Sequence, residues 1–96
     1  MVTEEQVREA LRHCHDPELQ MDIITLELVY GITVDKDNVN VRMTFTTPAC
    51  PYGHLLLEEV QRIIKERVPE VKEIKIDVVF DPPWQPSEEL RAIFGV

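Results

Sequence analysis

The sequence predicts a small two-layer α+β domain with the element order α-β-β-α-β-α. Three observations predict this fold class. Some segments repeat apolar residues at helical spacing, three others alternate apolar and polar residues with period two, and prolines or other turn-forming residues separate them. Because each predicted strand has one apolar face, we expect a three-stranded mixed or antiparallel sheet with the helices on one face. The 96 residues are interpreted as one domain, 1–96.

The first predicted helix runs from about Thr3 to Cys14. Thr3 and Gln6 have the spacing of a capping box, in which each side chain reaches the backbone N–H of the other residue. Cys14 completes the apolar stripe of this helix and is therefore interpreted as a buried core thiol. Pro17 limits any continuation of the helix, because it disfavours helical geometry at Asp16.

A long loop from His15 to Glu27 leads into a predicted hairpin of two strands. Residues 35–38 supply the polar side chains of its turn. The apolar positions of the two strands are Tyr30, Ile32, Val34, Val39, Val41, Met43 and Phe45.

A second helix is predicted from about Pro51 to Val68, with Pro51 at the first helical position. The third strand is predicted near residues 71–80. Ser87 is expected to cap a short last helix that ends at Gly95. Its inward residues are predicted to be Leu90, Ile93 and Phe94.

Charge and composition disfavour several classes of partner. Ten basic residues against eighteen acidic ones give a net charge of −8, which repels nucleic acids and anionic membrane surfaces. The apolar runs are too short to span a membrane, and the N-terminal residues are acidic where a signal peptide would be basic. We therefore expect a cytoplasmic protein, in which both cysteines are thiols.

Cys50 is the most informative residue of the chain. If Pro51 begins the second helix, Cys50 is its N-cap, where free N–H groups and the helix dipole favour a thiolate. A thiolate binds soft metals or attacks electrophiles. The alternative is a small capping residue that happens to be cysteine.

Other polar residues near Cys50 have two interpretations each. Thr46 and Thr47 either donate hydroxyl hydrogen bonds to a bound sulfur or are ordinary turn residues. His54 either forms a nucleophile pair with Cys50 or is a surface histidine. The long loop is acidic, and its carboxylates are either solvated or folded over Cys50. These carboxylates belong to Asp16, Glu18, Asp22 and Glu27.

Two further motifs bear on function. Trp84 follows two prolines and either covers the core or contacts a partner. Cys50 and His54 form a single Cys-x3-His pair, and there is no Cys-x2-Cys. A closed structural zinc site is therefore not expected.

Four segments, taken together in order and spacing, resemble the SufT/PaaD-type family of accessory factors for iron–sulfur (metal–sulfur) cluster assembly. The resemblance covers nearly the whole chain. The segments are Asp16-Pro17-Glu18, Leu26 to Tyr30, Met43 to Pro51, and Phe80 to Trp84.

The resemblance implies a role in maturing iron–sulfur proteins, without enzymatic activity. It places the family's reactive cysteine at Cys50, its acidic loop motif at Asp16 and Glu18, and its threonines at Thr46 and Thr47. The cargo would be a transient iron–sulfur cluster or iron, with nothing tightly bound. Expected partners are the assembly machinery or recipient apo-proteins, and a homodimer stays open.

Two other functions remain as alternatives: a metal-free adaptor that binds partners through Trp84 and the last helix, and a thiol enzyme that uses Cys50 and His54. The chain also departs from the family at Glu27, where a glycine is usual. If that glycine has a positive φ, Glu27 bears a steric cost.

Overall fold

Three helices and three strands follow one another in the predicted order. The computed structural model describes residues 1–17, 19–46 and 52–94, with no description of the Phe94 side chain. The elements are α1 (Glu4–Leu11), β1 (Val29–Asp35), β2 (Asn38–Met43), α2 (Gly53–Arg67), β3 (Glu73–Val78) and α3 (Glu88–Phe94). This order confirms the predicted α+β class. Within the described ranges, no helix is both long and apolar enough to cross a membrane.

Helix α1 begins with the predicted capping box. The Thr3 hydroxyl accepts a hydrogen bond from the Gln6 N–H at 3.2 Å, and the Gln6 side chain accepts one from the Thr3 N–H at 3.0 Å. The helix ends at Leu11, three residues before the predicted end at Cys14. The Cys14 N–H donates to the Leu11 carbonyl at 3.0 Å in a tighter turn, which still directs the Cys14 side chain into the core.

The sheet has the strand order β1-β2-β3 and is mixed. Strands β1 and β2 form an antiparallel hairpin, while β2 and β3 are parallel. The parallel pair is joined through α2, since a parallel connection needs a crossover. At the hairpin turn Lys36 has φ 58°, as a two-residue turn between twisted strands requires.

One face of the sheet carries the core. Ile32 lies opposite Val41, which in turn lies beside Ile76, so the apolar positions of all three strands share one face. Helices α1 and α2 pack with this face in a single apolar cluster. Their main contributions are Val7, Ala10, Leu11, Leu56, Val60, Ile63 and Ile64.

Helix α3 follows the prediction in part. The Ser87 hydroxyl accepts a hydrogen bond from the Leu90 N–H at 3.2 Å, which confirms the predicted cap, and Leu90 is buried. The prediction for Ile93 is wrong, because its side chain is 65% exposed. One turn beyond Leu90 the helix faces an open groove, so Ile93 is left uncovered by the elements that the structure describes. The predicted end at Gly95 lies outside the described residues.

Candidate functional site

The predicted start of α2 is wrong. Tyr52 is the N-cap, and the helix begins at Gly53 instead of Pro51. Cys50 is therefore two residues ahead of the cap position in the sequence, and it lies outside the described residues, as do Glu18 and Thr47. Proline favours the first helical position, but its fixed φ also suits the turn that precedes a helix. Thr46 is described and is half-buried.

The residues that flank the Cys50 segment pack against each other. A Cβ atom on Gly53 would lie 2.8 Å from Cε2 and 2.9 Å from Cζ of the Phe45 ring, so the ring lies directly against the helix start. The ring of Phe45 also meets the ring of Phe80 edge-on, with centroids 6.0 Å apart. The contact between Phe45 and Gly53 brings together two residues that flank Cys50 in the sequence. We had not predicted a role for Gly53, although a glycine in the first turn of a helix is itself an unusual choice.

Asp16 is buried and forms hydrogen bonds to other residues of the acidic loop. Its side chain is only 1% exposed and accepts a hydrogen bond from the Leu19 N–H at 2.9 Å. Its backbone N–H donates to the Met21 carbonyl at 2.9 Å, and its own carbonyl accepts from the Gln20 N–H at 2.8 Å. Asp16 therefore begins a turn of this loop. Of the two interpretations of the loop carboxylates, solvation does not hold for Asp16, because its side chain is buried and accepts the hydrogen bond from the Leu19 N–H.

The acidic loop lies along the beginning of α2. His15 and Pro17 line a depression of about 210 Å³ together with Leu55, Leu56 and Glu59 from the first two turns of that helix. The loop is therefore next to the end of α2 that follows Cys50 in the sequence. Whether Glu18 and Asp16 fold over Cys50 stays a prediction.

Cys14 is a core thiol, as predicted. It is fully buried, and burial raises its pKa to about 12, with the negative charge of Glu59 acting in the same direction. A hydrogen bond from Arg62 lowers the pKa of Glu59. The neutral Cys14 thiol is unsuited to metal ligation, which requires the thiolate.

His54, the predicted surface histidine, is exposed on α2. Across residues 1–17, 19–46 and 52–94, no three His, Cys, Asp or Glu side chains come together in a way that could hold a metal ion. Of the candidate site residues of these four types, Cys50 and Glu18 are outside these ranges.

The second half of the long loop forms a capped helical turn. The Asp22 carboxylate accepts hydrogen bonds from the N–H groups of Ile24, at 3.1 Å, and Thr25, at 2.9 Å. The Leu28 N–H donates to the Ile23 carbonyl and the Glu27 N–H to the Ile24 carbonyl, each at 3.0 Å. This pair of bonds defines a Schellman motif, which ends a helical turn with a left-handed residue.

Glu27 is the left-handed residue of that motif, with φ 60°. Glycine is usual at such a position because it has no Cβ to clash with the backbone. The predicted backbone conflict at Glu27 is therefore confirmed. Its side chain points to solvent.

Trp84 connects this turn to the segment that follows β3. Its indole Nε1 donates to the Leu26 carbonyl at 2.6 Å, and the half-buried ring packs against the core. Nearby, the Tyr30 hydroxyl donates to the Pro82 carbonyl at 2.8 Å. The geometry agrees with Trp84 as a cover of the core. Partner binding by Trp84 stays a prediction.

Comparison with known proteins identifies the family. Residues 4–78 match the family described as iron-sulfur cluster assembly protein. The chain belongs to this family. The matched range spans both the acidic loop and the position of Cys50, and it confirms the resemblance inferred from the four sequence segments.

The curated relatives carry consistent descriptions. The chain is 41% identical over 97 residues to an Fe-S protein maturation auxiliary factor of Porphyromonas gingivalis, covering 97% of this chain and 91% of that one. It is 40% identical over 70 residues to the Fe-S protein maturation auxiliary factor SufT of Staphylococcus aureus, covering 72% and 78%. It is also 30% identical to an iron-sulfur cluster carrier protein of Synechocystis, covering 99% of this chain but 27% of that protein.

The fold is shared with a solved structure. A conserved hypothetical protein of Thermotoga maritima, TM0487, superposes with a TM-score of 0.87 at 43% identity, covering 99% of this chain and 96% of that one. A likeness of this extent confirms the predicted fold class.

Proposed function

We propose that this protein is a cytoplasmic accessory or targeting factor in iron–sulfur cluster assembly, or in the maturation of iron–sulfur enzymes, and that it is not itself an enzyme. In this proposal Cys50 ligates a transient cluster or iron ion, which is the cargo. The observation that carries the proposal is the match to the assembly family over residues 4–78, together with near full-length similarity to an auxiliary maturation factor.

The state of the other cysteine supports Cys50 as the ligand. The chain has two cysteines, and Cys14 is buried as a neutral thiol. Cys50 is separated from the N-cap Tyr52 by one residue, so their Cα atoms are at most about 7.6 Å apart. Backbone N–H groups at the start of a helix favour an anionic ligand such as a thiolate.

We assign supporting roles to residues on either side of Cys50. The loop that contains Asp16 and Glu18 lies along the first turns of α2, which supports these residues as a polar cover for the cargo. Thr46 and Thr47 lead directly into the Cys50 segment and carry hydroxyl groups for hydrogen bonds to cluster sulfur.

The number of ligands makes the cargo labile. A cluster usually needs about four protein ligands, and Cys50 supplies one. The remaining ligands would come from the assembly machinery, from a recipient apo-protein, or from the Cys50 of a second copy in a homodimer. We therefore expect no tightly bound cluster on the isolated protein.

Anaerobic reconstitution with ferrous iron and sulfide tests the proposal. The wild type should develop the visible absorbance of a cluster, lose it rapidly to a chelator, and transfer it to an apo-ferredoxin. Cys50→Ser should show neither absorbance nor transfer. Cys14→Ala is the matched control, because it removes the buried thiol and leaves Cys50, and it should behave as the wild type when folded.

Two outcomes would contradict this function. An unchanged signal in Cys50→Ser would exclude Cys50 as the ligand, and a stoichiometric, chelator-resistant cluster on a monomer would exclude transient carriage. No signal in either protein, with the fold intact, would favour the metal-free adaptor instead. The open groove at α3 is the observation that supports an adaptor role.

A further inference from the structure

A groove of about 530 Å³ separates the capped turn of residues 22–27 from α3. Its apolar lining comes from Ile24, Leu90 and Ile93, and its acidic lining from Glu27, Glu88 and Glu89. This volume lies within the range of pockets that accept small molecules, so the groove has room for an apolar side chain of a partner. We call this feature the α3 groove.

The apolar part of the α3 groove is only partly buried. Leu90 is 2% exposed and anchors α3 to the core, Ile24 is half-buried, and Ile93 is 65% exposed one turn further along the helix. The three side chains form a graded surface that passes from the core to solvent. A single exposed apolar residue is ordinary at a protein surface, but here it borders a groove in which the side chain of a partner would complete its burial.

The rim of the α3 groove selects the charge of its occupant. Glu27, Glu88 and Glu89 are all exposed, and no lysine or arginine is among the residues that line the groove. The whole chain carries a net charge of −8, which adds to the same field. A second copy of the chain would bring its own acidic rim against this one, and like charges across an interface are costly.

We propose that the α3 groove docks a basic amphipathic segment of a partner protein, with an apolar side chain against Ile93 and lysines or arginines against the three glutamates. Such a contact is small, so it is weak and salt-sensitive, as suits a transient encounter. The inference rests on the proposed function only in that an accessory factor must meet the machinery or the recipient it serves.

Trp84 is a positioning residue for this groove. Its hydrogen bond to the Leu26 carbonyl holds the turn that carries Ile24 and Glu27 at a set distance from the segment that leads into α3. Loss of that bond should weaken docking without altering any groove side chain. This gives the sequence-predicted partner residue an indirect role.

Titration of the isotopically labelled full chain with synthetic peptides tests the proposal by nuclear magnetic resonance. The probe is a helical peptide with leucines on one face and lysines beside them, compared with one in which glutamates replace the lysines and one in which serines replace the leucines. We expect the first peptide alone to shift the amide signals of residues 24–27 and 87–93. Its affinity should fall as salt is added.

Variants connect the response to particular side chains. Ile93→Ser should lower the affinity for the peptide about tenfold, since it removes most of an apolar contact. The double variant Glu88→Gln, Glu89→Gln should lower the affinity for the peptide a few-fold and make that affinity less dependent on salt concentration. The matched controls are Leu55→Ser, at an apolar residue 48% exposed on α2, and Glu5→Gln with Glu58→Gln, at exposed helical glutamates.

Several results would overturn the inference. The lysine peptide could shift only amide signals outside the groove, or the glutamate peptide could bind with the same affinity. Leu55→Ser and Ile93→Ser could also lower the affinity for the lysine peptide equally. A dimer in sedimentation that Ile93→Ser dissociates would assign the groove to a second copy instead. The two proposals can fail independently. If the peptide causes no shifts but the cluster signal still depends on Cys50, only the docking inference is overturned.

Discussion

The indole Nε1 of Trp84 donates a 2.6 Å hydrogen bond to the carbonyl of Leu26, 58 residues earlier in the chain. Leu26 stands at the end of a helical turn, where carbonyl groups lose their intrahelical partners. A side chain from the segment after β3 thus completes the hydrogen bonding of a turn that precedes β1. The bond fixes both the left-handed Glu27 and one wall of the α3 groove.

Trp84→Phe should therefore lower the free energy of unfolding by about 1–3 kcal/mol. It keeps an aromatic ring over the core but leaves the Leu26 carbonyl without its donor, and Leu26 is fully buried. Urea denaturation measures the loss. Tyr30→Phe is the matched control, since it removes an exposed hydrogen bond to Pro82 and should cost less than about 1 kcal/mol. Equal losses in the two variants would contradict a special role for the bond from Trp84.

Glu27→Gly should stabilise the protein. A residue with a Cβ pays about 1–2 kcal/mol in the left-handed region, and the greater chain entropy of unfolded glycine offsets part of this gain. We expect a net gain of about 0.5–1 kcal/mol, or about 2–8 °C in Tm by calorimetry. Thr25→Gly, an exposed position of the same turn without positive φ, should instead destabilise. A lower Tm for Glu27→Gly would show that its backbone is not strained.

Gly53→Ala should lower the free energy of unfolding, whereas Gly31→Ala should leave it unchanged. The new Cβ at residue 53 would lie within 3 Å of the Phe45 ring, whereas a Cβ at residue 31 meets nothing within 4 Å. Overpacking of this kind costs about 1–3 kcal/mol. The difference is measurable by urea denaturation. Phe45→Leu should recover part of the loss in the Gly53→Ala background, and a double variant with no recovery would place the strain elsewhere.

Stability should fall at alkaline pH because of Cys14. Burial raises the pKa of Cys14 from the ordinary thiol value of 9.0 to about 12, so the folded state holds the proton more tightly than the unfolded state. This contribution is fully present below pH 9.0 and is lost as the pH rises towards 12. Unfolding free energies measured across that window should decline less steeply in Cys14→Ala. An identical decline in both proteins would assign the effect to other groups.

The same burial predicts the reactivity of Cys14. Iodoacetamide at neutral pH should leave Cys14 unmodified in the native protein and should modify it in urea, because only the exposed thiolate reacts. Peptide mapping by mass spectrometry identifies the labelled residue. Rapid native labelling of Cys14 would mean that the core opens around α1.

Local sequence patterns determined the order of the elements. The Thr3–Gln6 capping box, the Ser87 cap and the period-two strands involve residues that are neighbours in the chain, so their geometry follows from spacing. Cys14 was correctly assigned to the core for the same reason, since it continues an apolar stripe. The family resemblance also depended on linear motifs, and it identified the candidate residue Cys50.

Contacts between distant residues decided the rest. The ring of Phe45 lies against Gly53 at the actual start of α2, and Asp16 turns inward within its loop. Leu90 is buried while Ile93 stays exposed on the same short helix. Trp84 reaches Leu26 across 58 residues. Periodicity records which face of an element is apolar, but it carries no information on which other element arrives at that face. Only the tertiary structure supplies those partners, because each one depends on how the sheet and helices are brought together.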